Sequence, residues 1–239
     1  MRCKKEKKMK VFEFQCKIKF LKDVEYQNVY EKTTYLLDSV LIKDEQYLKF
    51  HESKDYKFYV TDAPWPVEAD GIYKKNHIYT LRIRSVDGNL IEFFIKHLYQ
   101  HQTKELLCIG GEVRMINPKR MISKLYSVTP VILKNDFGYW KAEMSLPEYE
   151  ERLVVNLMKK YQSFTGEKIE DDVHLYDSIL FKNKMPVKIP YKNIHLLGDK
   201  IDLEIANNEM AQKLAYFALG VGLGENNSRS CGFVNYKYL

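Results

Sequence analysis

One order of sequence patterns occurs twice in this chain, and that repetition constrains the fold more than any feature of composition. Val11-Phe-Glu-Phe-Gln-Cys-Lys-Ile-Lys-Phe20 alternates apolar and polar residues, the signature of a strand with one buried face. From Gln27 to Leu41, the residues Val29, Tyr30, Thr33, Leu36, Leu37, Val40 and Leu41 recur at helical spacing, with charges confined to the earlier turns. A short helix over Glu45–Phe50 and a strand over Tyr56–Val60 follow, and Pro64 and Pro66 end the strand. His77–Ser85 alternates again, Asp87-Gly88 marks a turn, Leu90–Tyr99 has the apolar density of a helix, and Leu106–Ile116 reads as a strand.

Past Asn117-Pro118 the pattern begins again. Ser123–Leu133 is strand-like, Leu146–Phe164 is a long amphipathic helix, and Met185–Ile189 with Ile194–Ile201 forms an alternating pair of strands. A helix over Asn207–Leu219 buries Ala211, Leu214, Ala215 and Ala218, and a strand at Phe233–Tyr238 closes the chain. Each block is β-α-β-β-α-β, which places two helices on one face of an antiparallel sheet. The expected fold is therefore α+β: two tandem ferredoxin-like domains, of the kind also used by RNA-recognition (RRM-like) modules, at residues 9–118 and 119–239. Residues 1–8 are read as a basic, disordered N-terminal extension with no structural role.

The 38 Lys and Arg against 32 Asp and Glu leave a net charge of +6, which favours a polyanionic partner. The 18 tyrosines suit core packing and also surfaces that stack on bases. Cys3, Cys16, Cys108 and Cys231 contain no CxxC pair, so neither a zinc site nor a disulfide framework is expected, and a reducing cytoplasm fits. No apolar run reaches the roughly 18 residues that a bilayer demands, and the start lacks a signal peptide's apolar stretch, so no membrane role is expected.

Four of the 11 glycines fall in Gly220-Val-Gly222-Leu-Gly224-Glu-Asn226-Asn227-Ser228-Arg229-Ser-Cys-Gly232-Phe233. Glycines permit positive φ and close backbone approach, so amides between them can converge on a phosphate while Asn226, Asn227, Ser228 and Arg229 add donors. A helix end followed by a tight hairpin is the structural alternative for any single glycine. No Gly-Lys-Ser or Gly-Lys-Thr follows, so this is not a nucleotide-binding P-loop.

The Gly-hydrophobic-Gly spacing, the polar Asn-Asn-Ser-Arg interior and the closing Gly232-Phe233 resemble the signature loop of the CRISPR-associated endoribonucleases that cut repeat RNA. Thr129-Pro130-Val-Ile-Leu133 and Ile194-His-Leu-Leu-Gly-Asp-Lys-Ile201 also resemble strands of that family's second domain. The loop departs from the family pattern in a long insert between Gly224 and Gly232, and in Val234, where a closing glycine is usual. The resemblance implies binding of CRISPR repeat RNA and metal-independent cleavage to guide RNAs, with no cofactor. The RNA would lie against Gly220, Gly222, Gly224, Asn226, Asn227, Ser228, Arg229 and Gly232. It further admits CRISPR interference-complex proteins or a second copy of the chain as partners.

Cleavage by a 2′-hydroxyl needs a base, an acid and charge stabilisation at phosphorus, and histidine suits either proton step. His51, between the first helices and the next strand, resembles the family's catalytic histidine in position. Lys57 is the candidate charge donor, with Lys54 its substitute. Tyr35, or Tyr30, corresponds to the tyrosine that some members carry on the first helix. His97 and His101 have the i, i+4 spacing of a metal pair on a helix, yet no third ligand accompanies them and no metal is expected. A non-catalytic RNA-binding module of the same fold is the rival reading.

Overall fold

The computed structural model describes residues 9–117, 119–134, 138–169, 172–191 and 194–239, so the extension expected at residues 1–8 lies outside the described residues. Strand β1 (Val11–Phe20) is followed by the two-residue β2 (Val24–Glu25), then helices α1 (Tyr26–Leu41) and α2 (Glu45–Glu52). Next come β3 (Tyr59–Thr61), the two-residue β4 (Ile72–Tyr73), β5 (Ile78–Ser85), α3 (Gly88–Leu98) and β6 (Leu106–Ile116). The sheet order is β3-β5-β1-β6 with antiparallel pairing throughout, the ferredoxin-like arrangement; β2 and β4 pair separately. The alternation of β1 does what the pattern dictates. Phe14, Cys16 and Ile18 are buried under the helices, while Gln15, Lys17 and Lys19 lie on the opposite face.

The second half contains β7 (Ile122–Ser127), the single-turn α4 (Trp140–Glu143), α5 (Leu146–Thr165), β8 (Tyr176–Phe181), β9 (Val187–Tyr191) and β10 (Ile194–Gly198). It continues with β11 (Ile201–Ile205), α6 (Glu209–Val221), a 3₁₀ turn at Asn227–Arg229 and β12 (Val234–Tyr238). Its sheet order β12-β7-β11-β8 repeats the first topology, and β9 and β10 form a hairpin of their own between β8 and β11. Helix α5 begins in a capping box in which Ser145 and Glu148 exchange hydrogen bonds, and it ends at Gly166 with φ 75°.

Several sequence expectations are corrected. Ile194–Ile201 is not one strand: Gly198, where a Cβ would meet the Val131 carbonyl at 2.5 Å, ends β10, Asp199 bridges Val131, and β11 begins at Ile201 in the sheet while β10 stays with the hairpin. The strand expected at Ser123–Leu133 stops at Ser127, and Pro130, with no amide hydrogen, precedes two isolated bridges, Val131 to Asp199 and Ile132 to Glu225. The strand at Tyr56–Val60 begins only at Tyr59, after Phe58 takes φ 47°. The charges of α1 are not confined to its early turns, since Asp38 stands in its last. Helix α3 ends at Leu98 and Gln100 has φ 59°, so His97 and His101 share no helix face: His97 stacks on Phe93, and His101 lies between Ser39 and Lys43.

The two sheets are joined by packing and by hydrogen bonds from a buried arginine of the first sheet. Helix α6 packs against β1, β3 and β5 of the first sheet and β7, β11 and β12 of the second. Glu13 and Arg84, both buried, pair at 2.6 Å, and Arg84 also donates to the Val234 carbonyl and to Asn235 Oδ1, each at 2.7 Å. Burial alone would raise the Glu13 pKa, but Arg84, Gln15 and Arg114 outweigh it and hold the carboxyl below its usual range. Phe233 lies under Arg84, its ring centroid 4.2 Å from the guanidinium carbon. Val234 opens β12 opposite Ser127, so a strand conformation, with no need of glycine, suffices where the family loop usually closes. Cys16 and Cys108, separate in sequence, come together as buried free thiols with Sγ atoms 2.8 Å apart.

Candidate functional site

The glycine-rich segment leaves α6 and folds back against the edge strand β3 of the first sheet. Two of its glycines are required by geometry. Gly222 caps α6 at φ 74°, where a Cβ would lie 2.9 Å from the Gly232 carbonyl. Gly232, at φ 68°, would place a Cβ 1.9 Å from the Leu223 carbonyl, which leaves no room for any side chain. Gly220 and Gly224 are also closely packed, against Val86 and the Ile132 carbonyl respectively.

Most amides of the loop are committed to the protein. Leu223 donates to the Gly232 carbonyl, Glu225 to Ile132, Gly232 to Pro130 and Phe233 to Thr129 Oγ1. Asn227 is an internal brace: its amide nitrogen donates to the Leu223 and Cys231 carbonyls at 2.9 and 3.0 Å, and its oxygen accepts from Lys160 at 2.6 Å. Lys160, fully enclosed on α5, also donates to the carbonyls of Gly222 at 3.3 Å and Gly224 at 2.5 Å. Burial pushes its pKa down to about 7, with Glu225 opposing. The remaining polar side chains of the loop, Asn226, Ser228 and Arg229, are half-buried.

These residues form one wall of a cleft of about 470 Å³. The opposite wall comes from the first half of the chain: His51 in the last turn of α2, then Ser53, Lys54, Lys57 and Tyr59. Thr61 on β3 and Ser230 in the loop meet at 2.7 Å beneath it. Tyr191, at the end of β9, lines the cleft with its ring 4.7 Å from the Arg229 guanidinium carbon. The Nδ2 of Asn226 and the Oδ1 of Asn156, both residues of this cleft, are buried without a hydrogen-bond partner among the described residues.

His51 Nδ1 lies 3.4 Å from Oδ1 of Asp38 on α1. Asp38 was not singled out in the sequence. Burial raises its pKa, while the positive charges of His51, Arg229 and Lys57 act to lower it. Lys57 bonds the carbonyls of Phe50 and Ser53, so its ammonium clamps the end of the helix that carries His51. Burial lowers the Lys57 pKa, with Asp55 and Asp38 opposing. Tyr35, one helical turn before Asp38, is 60% exposed and does not line the cleft; Tyr30 is buried and bonded to Tyr26. Tyr59 lines the cleft and contacts Ser228; burial raises its pKa. The structure therefore joins His51, Lys54, Lys57 and the glycine-rich loop in one place, and adds Asp38, Asn156, Lys160 and Tyr191 to them. Among the described residues no three His, Cys, Asp or Glu side chains are grouped to hold a metal, and no helix is long and apolar enough to cross a membrane.

The architecture is shared with known proteins. A solved structure named CRISPR associated protein Cas6 matches with TM-score 0.67 at 20% identity, covering 95% of this chain and 99% of that one. A structure named as a RAMP protein binding different RNA substrates gives TM-score 0.69 at 17% identity, covering 95% and 99%. A Cas6 product complex from Thermus thermophilus gives 0.59 at 14%, covering 96% and 100%. No curated protein matches the sequence. The family profile described as CRISPR associated protein Cas6, C-terminal, matches residues 112–236, from β6 through the glycine-rich loop into β12. With that profile spanning more than half its length, the chain belongs to the CRISPR associated protein Cas6 family.

Proposed function

We propose that this protein binds CRISPR repeat RNA in the cleft between His51 and the glycine-rich loop and cleaves it there without a metal. The observation that carries the reading is the meeting, in one cleft, of an Asp38–His51 pair with Arg229 and an Asn226 amide nitrogen that has no partner among the described residues. Asp38 orients the ring through Nδ1 and leaves Nε2 to move a proton. The 2′-hydroxyl oxygen attacks the adjacent phosphorus and loses its proton, while the bond from phosphorus to the 5′-oxygen breaks and that oxygen gains one. The products are a 2′,3′-cyclic phosphate and a 5′-hydroxyl. His51 performs one of the two proton transfers, and Arg229 and Lys57 supply positive charge beside the phosphate. Interference-complex proteins or a second copy of the chain are proposed partners of the same assembly. The family membership supports the RNA class, and the neighbours named as Cas6 product complexes support its processing.

Incubation of the purified protein with repeat RNA in EDTA, followed by mapping of the product ends, tests the chemistry. Cleavage should persist, and replacing the upstream 2′-hydroxyl with hydrogen should abolish it. His51→Ala should bind RNA with near wild-type affinity and cleave about 10²- to 10⁴-fold more slowly. Tight binding by the wild-type protein without any cleavage would instead identify a non-catalytic RNA-binding protein of the same fold. Full activity in His51→Ala would move the proton transfer elsewhere, with Tyr35 and Tyr59 the next to replace.

A further inference from the structure

The chain has two tryptophans with opposite environments. Trp140 is buried, its indole N–H donating to Asp199 at 2.7 Å. Trp65 is 67% exposed. An exposed indole is not a loose end here, because Trp65 and Thr80 exchange two backbone hydrogen bonds, at 2.9 and 2.8 Å, in an isolated antiparallel bridge beyond β3. Directly opposed residues share a face of the sheet. Thr80 is paired in turn with Lys17, whose ammonium donates to the Thr80 hydroxyl at 2.8 Å. Lys19 lies in the next row opposite the exposed Ile78, and Arg82 stands two residues from Thr80 on the same face.

This is the face turned away from α1 and α3. It therefore presents an indole and an isoleucine bordered by Lys17 and Lys19. Arg82 is paired with the buried Asp62, and Glu13 is buried and paired with Arg84 and Arg114, so neither acid is set against the two lysines. Glu112, opposite Gln15, is the exposed acid one row away. Lysines are depleted at the centres of protein interfaces, whereas an aromatic ring among cations is how sheets hold unpaired bases. The patch lies along the same sheet edge, that of β3, against which the glycine-rich loop folds. Thr61, which touches Ser230 of the loop, is four residues from Trp65, a span of at most about 14 Å even for fully extended chain.

We infer that Trp65, with Lys17 and Lys19, forms a second contact for single-stranded RNA: the indole stacks on a base of a strand that continues from the cleft. This inference rests on the RNA-binding reading of the cleft, but its readout is separate. Because Trp140 is buried, quenching of tryptophan emission by an oligouridylate reports Trp65. Emission should be quenched in the wild type and in His51→Ala, and the quench should be lost in Trp65→Phe. Trp65→Ala should weaken binding by about 5- to 150-fold, as stacking free energies of about 1–3 kcal/mol per base imply, and Trp65→Phe should retain most of the affinity. Unchanged thermal melting of both variants checks that the exposed site tolerates replacement. If filter binding detects RNA while emission and Trp65→Ala affinity stay unchanged, the inference is overturned and the cleft reading survives. Quenching without any cleavage of repeat RNA would leave the inference standing and sink the endonuclease. A change in emission only on adding another protein would assign the patch to a protein partner, again against the inference.

Discussion

Replacing Lys160 with methionine tests whether the glycine-rich loop is held by a buried cation. The folded protein releases this proton near pH 7, whereas an unfolded lysine keeps it to about 10.5. Between those values the unfolded state binds more protons, so this group makes stability rise with pH. A methionine side chain carries no such proton, and the difference between wild type and Lys160→Met isolates the group from every other titration. From about pH 6 to about pH 9 the wild type should gain roughly 2–3 kcal/mol on the variant. Superimposed on that slope is a pH-independent loss: the Gly222 and Gly224 carbonyls and Asn227 Oδ1 would each lose a donor, at about 1–3 kcal/mol apiece if left dry. The gap should therefore be small near pH 6, where the wild type carries the full burden of a buried ammonium, and large near pH 9. Urea denaturation of both proteins across that range, with constant m-values, measures it. A gap that is flat, or that widens toward acid, would mean that the three oxygens outweigh burial and that the ammonium is the preferred form.

Gly232→Ala should destabilise the fold by more than about 2 kcal/mol, because its Cβ would collide with the Leu223 carbonyl and its φ is left-handed; a melt within a degree or two of wild type would refute the packing argument. Arg229→Ala should leave stability nearly unchanged but weaken RNA binding, and should reduce the slope of log affinity against log salt by about 0.7, the value of one single-strand phosphate contact. An unchanged slope would remove Arg229 from the phosphate path.

How much of this was legible before the fold was known depended on whether a residue's role was local. Helices α1 and α5 were readable because burial imposes a 3.6-residue period on them, and the seven apolar or half-polar residues expected to face inward on α1 are its buried ones. Strand β8 carries no such mark because it is an edge strand with no fully buried side chain, so no clean alternation shows in its sequence. Lys160 reads as one more charge in Lys159-Lys160, yet it falls three residues after Leu157 and seven after Leu153, on the stripe that α5 buries. A lysine on an apolar stripe was the available signal. Asp38 gave a similar one: an acid in the last turn of a helix opposes the macrodipole and calls for a compensating partner, here the His51 ring. That the partner lies thirteen residues later, beyond a turn, is a tertiary fact that no spacing encodes.

The placement of the loop also explains why stability and recognition are entangled at some positions and separable at others. Strand β3 is only three residues long and lies at the edge of its sheet, where exposed backbone groups need cover. The 3₁₀ turn of the glycine-rich segment packs against it, with the Thr61–Ser230 contact, and Lys160 braces that turn through Asn227. Asn227 and Lys160, bonded to each other and to loop carbonyls, hold the shape of the wall, and changes there alter the wall itself. Arg229, Ser228 and Asn226 are half-buried cleft residues, and changes there alter its lining. The Asn226 amide nitrogen is buried with no hydrogen-bond partner among the described residues, which costs about 1–3 kcal/mol. On the proposed RNA-binding reading, an acceptor on the RNA is the partner that recovers it.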